Sequence, residues 1–332
     1  MILRIFAAAL LLAISAAANA RNIVLSNDDG LNSNVHALYH ALKERGHDVI
    51  VSVPCRNQSG MGAAMKFVRP LGPLDTDCLN GAAKAGDPGA GPMTLEGFGT
   101  DFYYAAGTPV MAMLYGVDVI AANRWGKAPD LVLSGINEGR NVGAIVLASG
   151  TVSNAQIAMT RGIPAIAFSA GRNTAHHGQL NSSNSTAAAN LAADLITMLD
   201  DHAKGDAALL PAGLGLNVNF PDDVTDAKWM LTQIGTYSEV APRFVADIGA
   251  AVAAEPRVSK MIGDTQLPPL PGLMIELPRF HPSAMQMHDE AVVSQHHITV
   301  SPMQIGYGHS GTEGKSWVAD LLEQHVGKPG SE

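Results

Sequence analysis

Short apolar runs take turns with stretches of helical period along this chain. Asn22-Ile23-Val24-Leu25-Ser26 is the first such run, broken by Asn27-Asp28-Asp29-Gly30. Between Ser33 and Arg45 the apolar positions Val35, Leu38 and Leu42 recur at helical spacing, and Gly46 supplies a stop. Asp48 to Val53 is a second apolar run, closed by Pro54. Strand, helix and strand in that order make a βαβ unit. Short apolar strands without alternation suit a parallel sheet buried on both faces.

The pattern then loosens. Met65 to Leu71 reads as an extended arm, Leu79 to Pro92 as a Gly-, Ala- and Pro-rich surface loop, and Thr94 to Ala106 as hairpin strands. Pro109 suits the first turn of a helix that runs to about Asn123. The spacing predicts strands at Asp130–Ser134, Pro164–Ser169, Leu214–Phe220 and Trp229–Ile234, and helices at Val152–Arg161 and Thr186–His202. Gly171 to Ser185 is a polar loop. Beyond about Val240 no period is clear until a late strand at His297–Val300 and a terminal helix at Ser316–His325. The fold class is therefore α/β, a doubly wound Rossmann-like parallel sheet over residues 21–240, followed by an irregular C-terminal extension over 241–332.

The first twenty residues break this pattern. Arg4 precedes 16 uncharged residues from Ile5 to Ala20, ending Ala18-Asn19-Ala20. That is short of the roughly 20 apolar residues that span a bilayer, and it fits a signal peptide cleaved after Ala20. The expected protein is exported, periplasmic or secreted, with no membrane segment after cleavage. Export permits a disulfide between Cys55 and Cys78, and the spacing leaves paired and free thiols equally open. Hydrophobic residues make up 47% of the 332 positions and charged residues 15%, so the chain can bury a large core. Lys and Arg number 21 against 30 Asp and Glu, a net charge of −9. This excess of acid excludes nucleic-acid polymers and anionic membranes as partners.

In open parallel sheets ligands bind beyond the carboxyl ends of the strands. The segments that follow the predicted strands carry Asp28-Asp29, Ser59-Gly60, Asn137, Asn141 and, before a helix, Ser149-Gly150-Thr151. Adjacent carboxylates repel unless a cation neutralises them, and oxygen ligands suit magnesium or manganese. Ser59 and Asn137 are able to complete such a set. The same Asp-Asp-Gly also suits a β-turn with capping carboxylates. Ser149 and Thr151 fit either a helix cap or a phosphate site at a helix N-terminus. His36 and His40 stand four residues apart beside the polar face of a helix and read as surface histidines; the His296-His297 pair stays open. A Gly-x-Ser-x-Gly elbow, a phosphate-binding Gly-x-x-x-x-Gly-Lys loop and a dinucleotide Gly-x-Gly-x-x-Gly after the first strand are all missing.

Taken in order, several segments resemble the SurE survival-protein nucleotidases. They are Ile23 through Asp28-Asp29-Gly30, Gly46-His-Asp-Val, Pro54 through Ser59-Gly60, Gly107-Thr108-Pro109 and Pro129 through Ser-Gly-Ile-Asn137-Glu-Gly. Asn141-Val-Gly, Ser149-Gly-Thr151, Gly162-Ile-Pro and Leu216-Asn-Val-Asn219 follow. The resemblance implies a phosphomonoesterase acting on nucleoside 5′- and 3′-monophosphates. It implies one divalent cation per subunit, magnesium or manganese, held by Asp28, Asp29, Ser59 and Asn137. It also implies a C-terminal region used for homodimer or homotetramer contacts. Within that reading Asp28 and Asp29 are the catalytic carboxylates, and Asn141, Ser149, Gly150 and Thr151 hold phosphate. The competing readings are a broad-specificity exported acid phosphatase or polyphosphatase, and an exported nucleotide-binding protein without turnover.

Overall fold

Two faces of one sheet are buried here, and the strand sequences are apolar at consecutive positions for that reason. The computed structural model describes residues 20–175, 179–203, 208–263, 265–277 and 281–306. The export segment before Ala20, the terminal helix expected at Ser316–His325 and the His176-His177 pair lie outside the described residues.

The chain begins with β1 (Asn22–Ser26), α1 (Ser33–Glu44) and β2 (Asp48–Pro54). Asn32 caps α1 by accepting a hydrogen bond from the Val35 N–H at 3.0 Å. The strands β3 (Ala90–Pro92) and β4 (Phe102–Ala105) form an antiparallel pair. The first of these starts inside the stretch expected as loop, because the Met93 N–H reaches the Phe102 carbonyl. Helix α2 (Pro109–Tyr115) is capped by Thr108 and passes through a π-type turn (Gly116–Ala121) into α3 (Ala122–Trp125). Then come β5 (Leu131–Glu138), α4 (Gly150–Thr160), β6 (Ala165–Ala170), α5 (Ser183–Ala203), β7 (Leu214–Asn219), β8 (Trp229–Leu231) and β9 (Ala241–Val245). Two short helices, α6 (Ile248–Ala253) and α7 (Pro256–Ile262), lead to β10 (Gly272–Glu276), α8 (Glu290–Val293) and β11 (Ile298–Gln304).

Among the described residues the main sheet has nine strands, in the order β3-β4-β2-β1-β5-β6-β7-β11-β8. The six strands from β4 to β7 are mutually parallel. Alternate residues feed opposite layers. Ile23, Leu25, Leu131, Leu133 and Phe168 pack with α1 and α5, while Val24, Val132, Ala165 and Ala167 pack with α2 and α4. All nine are fully buried, and each large aliphatic among them contributes about 1.5–3 kcal/mol by leaving water.

Strand order reverses beside β1, with β2 and β4 to one side and β5, β6 and β7 to the other. That reversal opens a crevice at the carboxyl ends of β1 and β5. The stretch expected as a C-terminal extension also supplies part of the sheet, since β11 pairs antiparallel with β7 and carries β8 on its outer edge. Its remaining strands, β9 and β10, form a separate antiparallel ribbon. The Cys55–Cys78 disulfide, left open by spacing, is formed, and it ties the end of β2 to the segment before Leu79.

Candidate active site

β1 ends by presenting Asp28 and Asp29 at the crevice, and both are buried. The turn is fixed locally, because the Asn27 side chain donates to the Gly30 carbonyl at 2.7 Å and accepts from the Gly30 N–H at 3.1 Å. Asp28 takes the Thr151 hydroxyl on Oδ1 at 2.7 Å. Backbone groups of Thr151 and Gly150, at the N-terminus of α4, also favour its charged form. Burial nevertheless pushes the Asp28 carboxyl upward. Burial pushes Asp29 up as well, and the neighbouring Asp28 charge adds to it. Asp29 accepts from Asn57 Nδ2 at 2.9 Å and from the Glu138 N–H at 3.2 Å. Among the described residues no Lys or Arg forms an ion pair with either carboxylate.

β5 brings Asn137 to the same place. The pairing of β5 with β6 shifts between Ser134 and Asn137, so that Asn137 sits opposite Ser169. Its Nδ2 donates to the Gly139 carbonyl at 2.7 Å and to that of Glu138 at 3.3 Å. This fixes the amide and leaves the buried Oδ1 with no hydrogen-bond partner. A buried acceptor of this kind is costly unless something meets it. Two adjacent buried carboxylates, an orphaned amide oxygen and the Ser59 hydroxyl form an all-oxygen set short of positive charge, and a hard divalent cation fits that set. Among the described residues no three His, Cys, Asp or Glu side chains gather where they could hold a metal ion, so this set draws on Ser and Asn oxygens as well.

A cavity of about 580 Å³ opens onto this set. Asp28, Ser59, Asn137, Asn141 and Ser149 line it, whereas Asp29, Gly150 and Thr151 stand behind its wall. Ser149 caps α4, its Oγ accepting from the Val152 N–H at 3.0 Å. Thr151 turns its hydroxyl to Asp28 and not to the cavity. Asn141 is clamped: its N–H donates to Asn219 Oδ1 at 2.9 Å and its Nδ2 to Ser169 Oγ at 2.9 Å. Its carbonyl accepts from Asn217 and Asn219. His36 and His40 lie on α1 with their Nε2 atoms 3.0 Å apart, and neither they nor His296 and His297 line this cavity.

Other residues lining the cavity or lying beneath it were not visible in the motifs. Arg140 donates to the Ser294 carbonyl and to Glu239. Arg172, which follows β6, runs past Gly139, where an added Cβ would stand 3.8 Å from its Cγ. Glu290 lies under the Asn141–Gly143 turn, accepting from the Gly143 N–H at 3.3 Å and from Asn217 Nδ2 at 3.0 Å. Its sequence neighbourhood shows no period, so only the pairing of β11 with β7 reveals it.

Residues 23–240 match the family described as survival protein SurE. An acid phosphatase of Yarrowia lipolytica is 37% identical over 212 residues, 60% of this chain and 56% of that protein. The 5′-nucleotidase SurE of Aquifex aeolicus is 41% identical over 149 residues, 44% of this chain and 49% of that protein. The chain thus spans about half the length of these curated relatives. The crystal structure of the SurE protein from Aquifex aeolicus superposes with a TM-score of 0.59 at 28% identity, covering 91% of this chain and 99% of that one.

Proposed function

The chain belongs to the survival protein SurE family, and on that premise we propose that it is a metal-dependent phosphomonoesterase converting nucleoside 5′- and 3′-monophosphates to nucleoside and phosphate. The observation that carries the reading is the orphaned Asn137 Oδ1 beside two buried carboxylates that no cationic side chain among the described residues neutralises. In this reading Asp28, Asp29, Ser59 and Asn137 hold one divalent cation, magnesium or manganese. When bound, it supplies Lewis-acid polarisation of the phosphoryl group and acidifies water.

The chain's own groups do the rest. Ser149 and Asn141 meet the phosphate at the cavity wall. Thr151 and Gly150 hold Asp28 in place from behind. Asp28 is the carboxylate that lines the cavity, so it accepts the proton of the attacking water. As the new P–O bond forms, the P–O bond to the ester carbon's oxygen breaks, and the departing alkoxide takes a proton from solvent. Asp29, with both oxygens engaged by Asn57 and Glu138, orients the pair. Phosphoryl transfer of this kind depends mainly on positioning and charge.

The test is a phosphatase panel on the purified protein with chelator, then with manganese or magnesium restored. Turnover of nucleoside monophosphates disappears with chelator and returns with metal. Asp28→Asn and Asn137→Ala each abolish it without lowering the melting temperature by more than a few degrees. Normal turnover by either variant refutes the assignment, and a trapped phospho-aspartate at Asp28 would replace it with covalent catalysis. Nucleotide binding without turnover, indifferent to chelator, would favour a binding protein. The chain is further read as exported. The Cys55–Cys78 disulfide supports this, since such bonds persist in oxidising compartments. N-terminal sequencing of the mature protein, expected to start at Arg21, checks it. Exposed Leu231, Phe244 and Leu270 support a homodimer or homotetramer, which sedimentation measures.

A further inference from the structure

Two stretches of chain meet at the Asp28-Asp29 turn, and each leaves from a cysteine. Cys55 follows β2, and its N–H donates to the Ala105 carbonyl of β4 at 2.8 Å. The residues after it reach the turn. Asn57 Nδ2 donates to Asp29 Oδ1 at 2.9 Å, the Gln58 N–H donates to the Asp28 carbonyl at 2.7 Å, and the Ser59 N–H donates to Asn57 Oδ1 at 2.9 Å. The second stretch leaves from Cys78. The Leu79 N–H donates to the Cys55 carbonyl at 2.8 Å, and Asn80 Nδ2 donates to the Leu31 carbonyl at 2.8 Å. Gly30 lies between the two stretches: a Cβ there would stand 3.0 Å from the Pro54 carbonyl oxygen and 3.4 Å from Leu79 Cδ2. The disulfide joins the stretches at their origin, and both cysteines are buried.

We propose that the Cys55–Cys78 disulfide is a positioning element of the metal centre, clamping the turn that carries Asp28 and Asp29 against the segment that carries Ser59. The proposal rests on the metal-dependent reading above and adds what keeps the ligands in register. Among the described residues no strand or α-helix lies between Pro54 and Leu79, so no regular element fixes Ser59. Its position is inherited from Asn57 and Gln58, which follow closely on Cys55. On the other side the turn rests on Leu79 and Asn80, which follow directly on Cys78. Unbonded cysteines leave the two stretches joined only through a loop with a sequence separation of 23, whose conformational freedom works to part them. The turn then loses support on both sides at once. Tight binding of a small divalent cation demands oxygen ligands in near-ideal positions, and loss of the contacts that orient such ligands lowers metal affinity by about 10–100-fold. A chain whose cysteines are unbonded is therefore folded in its sheet and slack at its metal site.

The experiment is a calorimetric titration of the purified protein with manganese alone, with no substrate present, and melting curves establish that each variant is folded at the assay temperature. Cys55→Ala with Cys78→Ala is expected to raise the manganese Kd by about tenfold or more. Asn80→Gly keeps the disulfide and removes the contact to Leu31; Asn80 has a φ of 52°, which glycine adopts freely. It is expected to raise Kd severalfold. Ile196→Ala, in the buried packing of α5, lowers stability away from the site and is expected to keep the wild-type Kd. Raising manganese should also restore nucleotide hydrolysis by the double cysteine variant. A folded double variant with the wild-type Kd overturns the proposal, and so does an equal rise in Ile196→Ala. If the double variant does not fold, a wild-type Kd in Asn80→Gly overturns it. A wild-type protein that binds no manganese removes the metal-dependent reading, and the positioning role with it. One that binds manganese and loses it in the variants, yet hydrolyses no phosphomonoester, removes the activity and leaves the positioning role standing.

Discussion

Replacing Gly150 by alanine pits two effects of opposite sign against each other. Gly150 is the first residue of α4, and on helix propensity alone alanine there stabilises by up to about 1 kcal/mol. The surroundings decide otherwise. A Cβ on Gly150 would stand 2.7 Å from Asp28 Cβ, 2.7 Å from Pro109 Cγ and 3.0 Å from Asp28 Oδ2. Carbon atoms in contact want about 3.5–4.0 Å, so close to an ångström must be found. Neither neighbour is the end of a flexible chain: one is the first carbon of Asp28 and the other belongs to a proline ring. Overpacking of this kind costs about 1–3 kcal/mol, which exceeds the propensity gain. The strain relaxes by moving Asp28, which stretches its 2.7 Å bond from Thr151. A displacement of about 1 Å at a reacting group costs on the order of a hundredfold in rate. Gly150→Ala is therefore expected to lose about 1–2 kcal/mol in urea unfolding and most of the proposed phosphatase activity. Gly72→Ala is the control, since a Cβ there meets nothing within 4 Å. A Gly150→Ala protein as stable and as active as wild type would refute the packing argument.

Three other outcomes follow from the same structure. Breaking the disulfide with Cys55→Ser and Cys78→Ser together opens a loop with a sequence separation of 23. By chain entropy that costs about 3 kcal/mol, read as a lower denaturation midpoint; an unchanged midpoint argues against a pair formed in solution. Burial pushes Glu290 up to about 7, and the Asp289 charge adds a little. The folded chain then binds the proton more tightly than the unfolded chain. Stability contributed by protonated Glu290 is thus full at low pH and falls as pH rises from about 4.5 to about 7, by about 3 kcal/mol at most. Urea melts at pH 5 and pH 8 should show a smaller difference in Glu290→Gln than in wild type, and equal differences would discard the assignment. Arg172 is exposed at the cavity and makes no ion pair among the described residues. Arg172→Ala should raise KM for nucleotides by about fivefold with less effect on kcat, and that gap should narrow in high salt; an unchanged KM places Arg172 outside substrate binding.

Much of the architecture was legible in local pattern. The apolar runs at Ile23–Leu25, Val49–Val53 and Leu131–Leu133 are strands because consecutive apolar residues suit only a sheet covered on both faces. Asp28, Ser59 and Asn137 could be placed near one another because parallel strands put all their carboxyl ends on one edge. The ribbon was not legible. Pro242, Leu273 and Ile275 sit in short segments separated by α6 and α7, and they line a cavity and not a core, so no long period marks them. The start of β3 in a Gly-rich stretch was missed for a related reason: with strands this short, partner hydrogen bonds outweigh propensity.

The sequence by itself determined the α/β class and the strand ends that carry the acidic pair, because periodicity and strand polarity are properties of residues in order. Only the tertiary structure decided that Cys55 meets Cys78, that Thr151 and Gly150 serve Asp28, and that Asn137 Oδ1 is left unpartnered. It also decided that β11 completes the sheet and that Glu290 lies beneath the Asn141 turn. Each of these depends on distances between segments far apart in the chain. Such distances are set by how two layers of helices close over one twisted sheet, and no local pattern encodes them.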